Sequence, residues 1–597
     1  MTQRAISRRT LCAVSLLAAC KRSPDLYFGR NTPPARQRLS YVLGGEPASL
    51  DPAFYTGGYE GFVIPALFEG LTNYHPRTLK PIAALATHFD AAPDRSSVTF
   101  YLRGHPHPRG EALFDTDDLH REYQEGKLSQ DFSRGHRAPP SSTPAVWSGG
   151  HVITAHDFIY SWQRIVDPAT AAPYAAMLSA IQNADAILKG KLPPSSLGVE
   201  ALDEFCLEVK VRPPITNFLQ LLAAPVFAAV PRRTIEAARQ RGNEASWTDP
   251  QNIVVSGAFT LQQHKPFDRI VIAKNARYYE AGLVALEEIE FPMVTDGVTT
   301  ANLYRAGSIH AMPGERLSLL LEPVLEGRRD FHASPACFVI WHGFNLQKPP
   351  FNNVLLRYAF NMATDKAAIA HTFGGGRTAA GNLVPPMEGY VAPGKLPVVV
   401  DGVSYDVLAY NPEGARALLA KAGYPRGIGP DGRPLHFETL IPTLPHSRPI
   451  AEMLQANWRN NLEVETRLVV QEFNVWLQNV LAVQYPAVAE AGGWPDYFDP
   501  KGFFDWFANG SNMSGTNYAD PAFNAMLAES DLAPTPVARM QQLADCERYL
   551  LKSMPVIPIF HNVWLYLQKP FVHGLEGNAL DKHPFKYASI DTNWRSS

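Results

Sequence analysis

The chain has 597 residues, with 54 Lys and Arg against 57 Asp and Glu and a formal net charge of −3 at pH 7. That length exceeds what one hydrophobic core accommodates, so two or three lobes are expected, and the charge implies no basic field large enough to hold nucleic acid. With 46% hydrophobic and 19% charged residues the balance is that of a soluble globular protein, and 10 Trp, 23 Tyr and 31 Phe leave aromatics to line a ligand cleft as well as fill a core.

The first twenty residues differ from the rest. Arg4, Arg8 and Arg9 precede an apolar run from Leu11 to Ala19, broken only by Ser15. A charged stretch followed by a short apolar one reads as an export signal, far too short to span a membrane. The run closes on Leu17-Ala18-Ala19-Cys20, which is similar to a bacterial lipobox, so residues 1–20 are expected to be a lipoprotein signal peptide with Cys20 carrying the lipid. A plain signal peptide with a chance cysteine is the alternative. Ser7-Arg8-Arg9 also loosely resembles a twin-arginine signal, and residues 21–37 read as a flexible tether.

Beyond the tether, strand-like and helix-like runs alternate, as mixed α/β architecture requires. Residues 104–146 interrupt them: His105-Pro106-His107-Pro108, several acids, and a Pro- and Ser-rich end read as a long surface insertion. His105 and His107 have no partnering Cys or His cluster, so a solvated loop is expected there rather than a metal site. Thr154 is placed to cap a helix through Arg164, with Asp157 completing a capping box and Phe158, Ile159, Trp162 and Ile165 forming its apolar stripe. Tyr160 falls about 200° around that helix from Phe158, off the stripe. Phe205 to Val211 alternates as a half-buried strand, and Phe218 to Val230 is interrupted by Gln220 and Pro225, too broken to span a membrane. Gly374-Gly375-Gly376-Arg377 lacks the lysine and hydroxyl of a phosphate loop and reads as a turn. A second helix starts at Asn411-Pro412 and ends at Gly423.

Catalytic signatures are missing. There is no H-E-x-x-H, no G-x-S-x-G and no glycine-lysine phosphate loop, and no carboxylate pair has spacing that argues for acid–base work. Cys20, Cys206, Cys337 and Cys546 are widely spaced, which signals neither a zinc site nor a disulfide framework. A binding protein without a cofactor or metal, rather than an enzyme, is expected.

A long series of short motifs supports that reading. They are Glu46-Pro47-Ala48-Ser49-Leu50-Asp51-Pro52, Phe68-Glu69-Gly70-Leu71-Thr72, Trp147-Ser148-Gly149-Gly150, Thr154 through Trp162, Leu197-Gly198-Val199, Ser256-Gly257-Ala258-Phe259, Pro350-Phe351-Asn352-Asn353-Val354 and Gly493-Trp494-Pro495-Asp496-Tyr497-Phe498-Asp499-Pro500. In this order, from about residue 39 to the end, the chain resembles the peptide/oligopeptide-binding family of ABC importer solute-binding proteins.

That resemblance implies a bilobed, type II periplasmic-binding-protein fold with an extra third domain, hinged around a central cleft. One core domain would take 38–68, 218–336 and 561–597, the extra domain 69–217, and the second lobe 337–560. It also implies an extended peptide bound by its main chain, roomy hydrated pockets, and closure recognised by the ABC permease subunits, with the protein acting as a periplasmic monomer held to a bacterial membrane by its lipid. Carried over by position, Asp496 would pair with the peptide α-ammonium, with Asp499 as its local competitor. Gly57 and Gly58 would meet the peptide by their backbone, Tyr160 would stand in the cleft, and Gly493 and Trp494 would supply backbone contacts and a pocket wall.

The chain also departs from the family pattern. The disulfide partner implied for Cys337 falls at Pro495, so that bridge cannot form. Val488-Ala489-Glu490-Ala491-Gly492 is one residue longer than usual and lacks an arginine that some oligopeptide binders have there. Met312-Pro313-Gly314 and Phe560-His561 replace tyrosine-containing segments. The same fold could carry a nickel complex, haem, an opine or a sugar instead, in which case His310, His342 and His561 become relevant. A cell-surface peptidase is the remaining alternative.

Overall fold

The computed structural model describes residues 26–56, 58–212, 217–314, 317, 321–495, 497–508, 511 and 513–595. Cys20, Gly57 and Asp496 lie outside them. Three multi-stranded sheets organise the chain. Ala86–Ala91, Ser97–Leu102, Glu111–Ala112, Val199–Asp203 and Cys206–Lys210 build a five-stranded sheet. Phe259–Lys265, Arg269–Lys274 and Glu288–Pro292 form a meander that Arg38–Ser40 joins in parallel. A six-stranded mixed sheet combines Thr378–Ala379, Val556–Leu567, Phe331–Phe344, Val488–Gly493, His436–Pro442 and Glu465–Gln471, in that spatial order. This is the mixed α/β class expected from the sequence.

Local signals placed the helices. Thr154 caps Ala155–Val166, and the Asp157 carboxylate accepts from the Thr154 N–H at 2.9 Å. Phe158, Trp162 and Ile165 are buried on its inner face, and the Trp162 indole donates to the Phe227 carbonyl at 2.9 Å. Pro412–Lys421 opens with Asn411 accepting from the Gly414 N–H at 2.9 Å. It closes at Gly423, whose φ of +93° is the left-handed conformation that ends a helix. Burial alternates from Leu207 to Lys210, with Leu207 and Val209 inside, but Cys206 at the strand start is buried as well.

Two segments are more structured than their composition suggests. Residues 104–146 carry the helix Thr116–Gln124, closed at its start by a reciprocal Asp115–Asp118 capping box. Leu119, Leu128 and Phe132 pack with Leu283 and Tyr587 into a small core of their own. Thr116 donates to buried Glu280 at 2.6 Å, and Glu280 also lies 3.3 Å from Lys586 Nζ. The insertion is thus latched onto the C-terminal segment, because its few apolar residues find partners far away in sequence. His105 follows the expected solvated reading only in part, since its ring packs edge-on against Tyr101. The expected tether is likewise bound from its described start. Phe28 stacks over Tyr304, and its N–H donates to both Asp330 carboxylate oxygens at 2.8 and 3.0 Å.

Several of the motifs found in the sequence are buried-charge devices. Asp51 accepts from Arg164 at 2.7 and 3.1 Å and from the Trp247 indole at 3.0 Å. Glu69 accepts from the Tyr278 and Tyr279 hydroxyls at 2.6 and 2.7 Å. Asp499 is gripped by both terminal nitrogens of Arg539, at 2.7 and 3.0 Å, with both side chains buried.

Replacing Asp499 with Ala leaves the buried Arg539 guanidinium with only Asp531, 4.0 Å away, as a charged partner, which is expected to cost about 3 kcal/mol in thermal or urea unfolding. Replacing Asn411 with Ala removes one helix cap and is expected to cost only about 1 kcal/mol in the same measurement.

Candidate functional site

The expected site residues converge, in part, on one large cavity. Its volume is about 860 Å³, and its wall takes residues from the Thr56–Tyr59 segment, from both long strands of the six-stranded sheet, and from the end of the Val488–Gly493 strand. A small-molecule or short-peptide ligand is of that size. Gly58, Gly493 and Trp494 all line it. Tyr160 does not: its hydroxyl donates to Glu236 at 3.0 Å, and the Arg232 guanidinium sits 5.4 Å over its ring. Lying off the apolar stripe sent Tyr160 to a helix–helix junction rather than to this wall.

Local chemistry shapes each edge. Buried Glu60 holds Thr56 and Gly58, accepting from the Thr56 N–H at 2.8 Å and the Gly58 N–H at 3.2 Å. A Cβ on Gly58 would approach the Glu60 carboxylate to 3.1 Å, so glycine lets that grip form. Gly492 and Gly493 pair with Ile340 and Val339 across the antiparallel ladder, and a Cβ on Gly492 would meet the Val339 carbonyl at 2.9 Å. Trp494 follows directly. It is 40% exposed, with its ring 5.5 Å from Phe338 and 6.0 Å from Trp564 between centroids. Asp499, the competitor for Asp496, is committed to Arg539 and anchors the segment behind Trp494.

The wall is mostly apolar and rich in aromatic rings, with a few polar atoms. Trp341 and Trp506 face each other at 5.3 Å, and the indole N–H groups of Trp341 and Trp476 are buried without hydrogen-bond partners among the described residues. Arg377 lines the cavity too, held by Asn562 at 3.0 Å, the Phe373 carbonyl at 2.8 Å and Glu322 at 3.3 Å. The turn expected at Gly374–Gly376 thus delivers a fixed cation to the cavity wall. Glu490 is almost wholly buried there. It accepts from the Ser447 hydroxyl at 2.6 Å, and burial pushes its carboxyl up to about 8. His446, 3.6 Å away, is held neutral by burial, down to about 4. None of these residues stood out from the sequence. The signal for Glu490 was a lone carboxyl inside a run of small apolar residues.

The alternative histidines do not gather. His342 is fully buried in the sheet, His310 accepts from the Ser40 N–H at 3.1 Å, and His561 lies 3.1 Å from the Asn382 carbonyl. Among the described residues no group of three His, Cys, Asp or Glu could hold a metal ion, and none of the helices is long and apolar enough to cross a membrane. Cys206, Cys337 and Cys546 are buried and free.

Known proteins match nearly the whole chain. The periplasmic oligopeptide-binding protein OppA of Escherichia coli (strain K12) is 30% identical over 586 residues, 96% of each chain. The solved murein tripeptide-binding protein MppA of Escherichia coli superposes with a TM-score of 0.73 at 26% identity, covering 94% of this chain and 99% of its own. Haemophilus influenzae OppA in complex with RPPGFSPFR gives 0.72 at 26%, covering 94% and 100%. These neighbours share the type II binding-protein architecture expected from the motifs. The family model for the middle of bacterial extracellular solute-binding proteins, family 5, matches residues 144–515, and the chain therefore belongs to that family.

Proposed function

We propose that this protein captures peptides in its interlobe cavity on the periplasmic side and hands them to the permease subunits of an ABC importer, held at the membrane by a lipid on Cys20. The observation that carries the reading is the cavity itself: aromatic walls for varied side chains, bordered by strand ends and glycines where a peptide backbone can lie. Peptide recognition by main-chain pairing needs that combination, since backbone bonds supply affinity without reading sequence. The relatives that cover the whole chain are named for oligopeptides and a murein tripeptide, which favours this cargo over a metal complex or a sugar.

In this reading the lobes are residues 38–68 with 218–336 and 561–597 on one side and 337–560 on the other, closing as a monomer around the ligand. Asp496 takes the peptide α-ammonium, beside Trp494 and Gly493. Gly57 and Gly58 approach the peptide backbone, with Glu60 holding Gly58. Trp494 serves as a pocket wall, which suits its half-exposed ring between Phe338 and Trp564. Tyr160 stays with Glu236 and shapes the neighbouring helices.

Native mass spectrometry of the purified mature protein is expected to show a ladder of short peptides; a single sugar or metal complex co-purifying would overturn the peptide reading. Replacing Asp496 with Asn is expected to weaken tripeptide binding by about tenfold or more in calorimetry, because it removes an ion pair from a closed cleft. Unchanged affinity would place the ammonium anchor elsewhere.

A further inference from the structure

Glu490 is the one carboxyl in the cavity wall without a cationic partner among the described residues. Its Oε1 atom accepts from the Ser447 hydroxyl at 2.6 Å, while its Oε2 atom is buried with no hydrogen-bond partner among the described residues. A buried acceptor left open is costly unless something else satisfies it, and the side chain borders the ligand cavity. The groups facing it do not supply a charge. Its cross-strand neighbour His342 lies fully buried in the sheet, and neither ring nitrogen has a partner among the described residues. His446 sits 3.6 Å from Oε1. Arg377, the fixed cation of the same wall, is held by Glu322, Asn562 and the Phe373 carbonyl.

The geometry points to Glu490 as a selectivity residue whose open Oε2 receives a cationic group of the ligand, so that the cavity prefers peptides with a lysine-like side chain at one position. This rests on the peptide reading above and adds to it a charge preference set by this chain's own wall. An ammonium group beside Oε2 would form an ion pair with the ionised carboxyl, whereas a ligand carboxylate there could gain at most one hydrogen bond from the protonated carboxyl and no ion pair.

A thermodynamic signature follows. In the empty cavity burial holds the Glu490 carboxyl up at about 8, so it is protonated at pH 7. His446, down at about 4, and His342, down at about 3, are both neutral there. A cation arriving at Oε2 favours the ionised carboxylate, lowers its affinity for the proton and expels that proton on binding. Affinity for the cationic peptide therefore rises between about pH 6 and pH 8, the range in which the empty site still holds its proton and the lysine stays charged.

The test is calorimetry of the full mature protein at pH 7 with trialanine and with analogues carrying one lysine or one glutamate at each position. One lysine analogue is expected to bind at least about tenfold tighter than trialanine, and at least about tenfold tighter than the glutamate analogue at that position. E490Q is expected to shrink the lysine advantage to within about threefold. Titrations in phosphate and in Tris should show between about a half and one proton released with the favoured lysine peptide and none with trialanine. A lysine advantage that survives in E490Q, or native protein that binds all the tripeptides alike, would overturn the assignment. Should E490Q fail to fold, the native protein decides: lysine-peptide binding without proton release sinks the proposal. Failure of every tripeptide to bind would instead remove the peptide reading on which it stands.

Discussion

The architecture depends on one pairing, that of the Phe331–Phe344 and Val556–Leu567 strands. They run antiparallel through the middle of the six-stranded sheet, but their register breaks between Pro335 and Val339 and again between Ile340 and Trp341. A break of that kind inserts an extra residue, twists the strand and turns side chains out of their regular faces. Phe338, Ile340 and Trp341 stand at these breaks; Phe560, opposite Ile340, and Asn562 and Trp564 further along the partner strand join them, and all six border the cavity. A fully regular ladder would have closed that space with packed side chains. The site exists where the sheet is irregular.

Around this pairing the protein invests its buried charges in structure. Asp51 with Arg164, Glu69 with two tyrosine hydroxyls, and Asp499 with Arg539 each tie together segments distant in sequence. Breaking such a pair leaves a charge in a medium that solvates it poorly, which ties the arrangement of the segments to the survival of the pair. Asp51, Glu69 and Asp499 each stand in one of the short motifs of the sequence, so those motifs help to assemble the body, while Gly493 and Trp494 of the last motif line the cavity.

The cavity divides its wall between two kinds of surface. Its aromatic surface suits many ligands, whereas its few polar atoms are placed individually: two unpaired indole donors, a guanidinium fixed by neighbours, and a carboxyl with one open oxygen. Glycines on two sides bring backbone to the same space. Broad tolerance from the apolar wall and selectivity from isolated polar groups can thus coexist in one cleft.

The amino-acid sequence by itself determined the elements whose signals are local. The Thr154 and Asn411 caps, the glycine that ends the second helix, and the alternation from Leu207 to Lys210 all act over a few residues, so composition and spacing sufficed. The ordered series of motifs carried the family, and with it the type II architecture. What only the tertiary structure decided lies in contacts between distant segments. The 104–146 insertion reads as polar and irregular because its small core is completed by Leu283 and Tyr587, and the stretch from residue 26 reads as a tether because Tyr304 and Asp330 hold it. Tyr160 meets Glu236 and Arg232 of the neighbouring helix, and which neighbour a helix face meets is a matter of packing. The cavity chemistry of Glu490 and Arg377 was legible only as a lone acid in a strand and an arginine after three glycines. Burial and the absence or presence of a partner give those residues their character, and both are properties of the folded neighbourhood rather than of the residue.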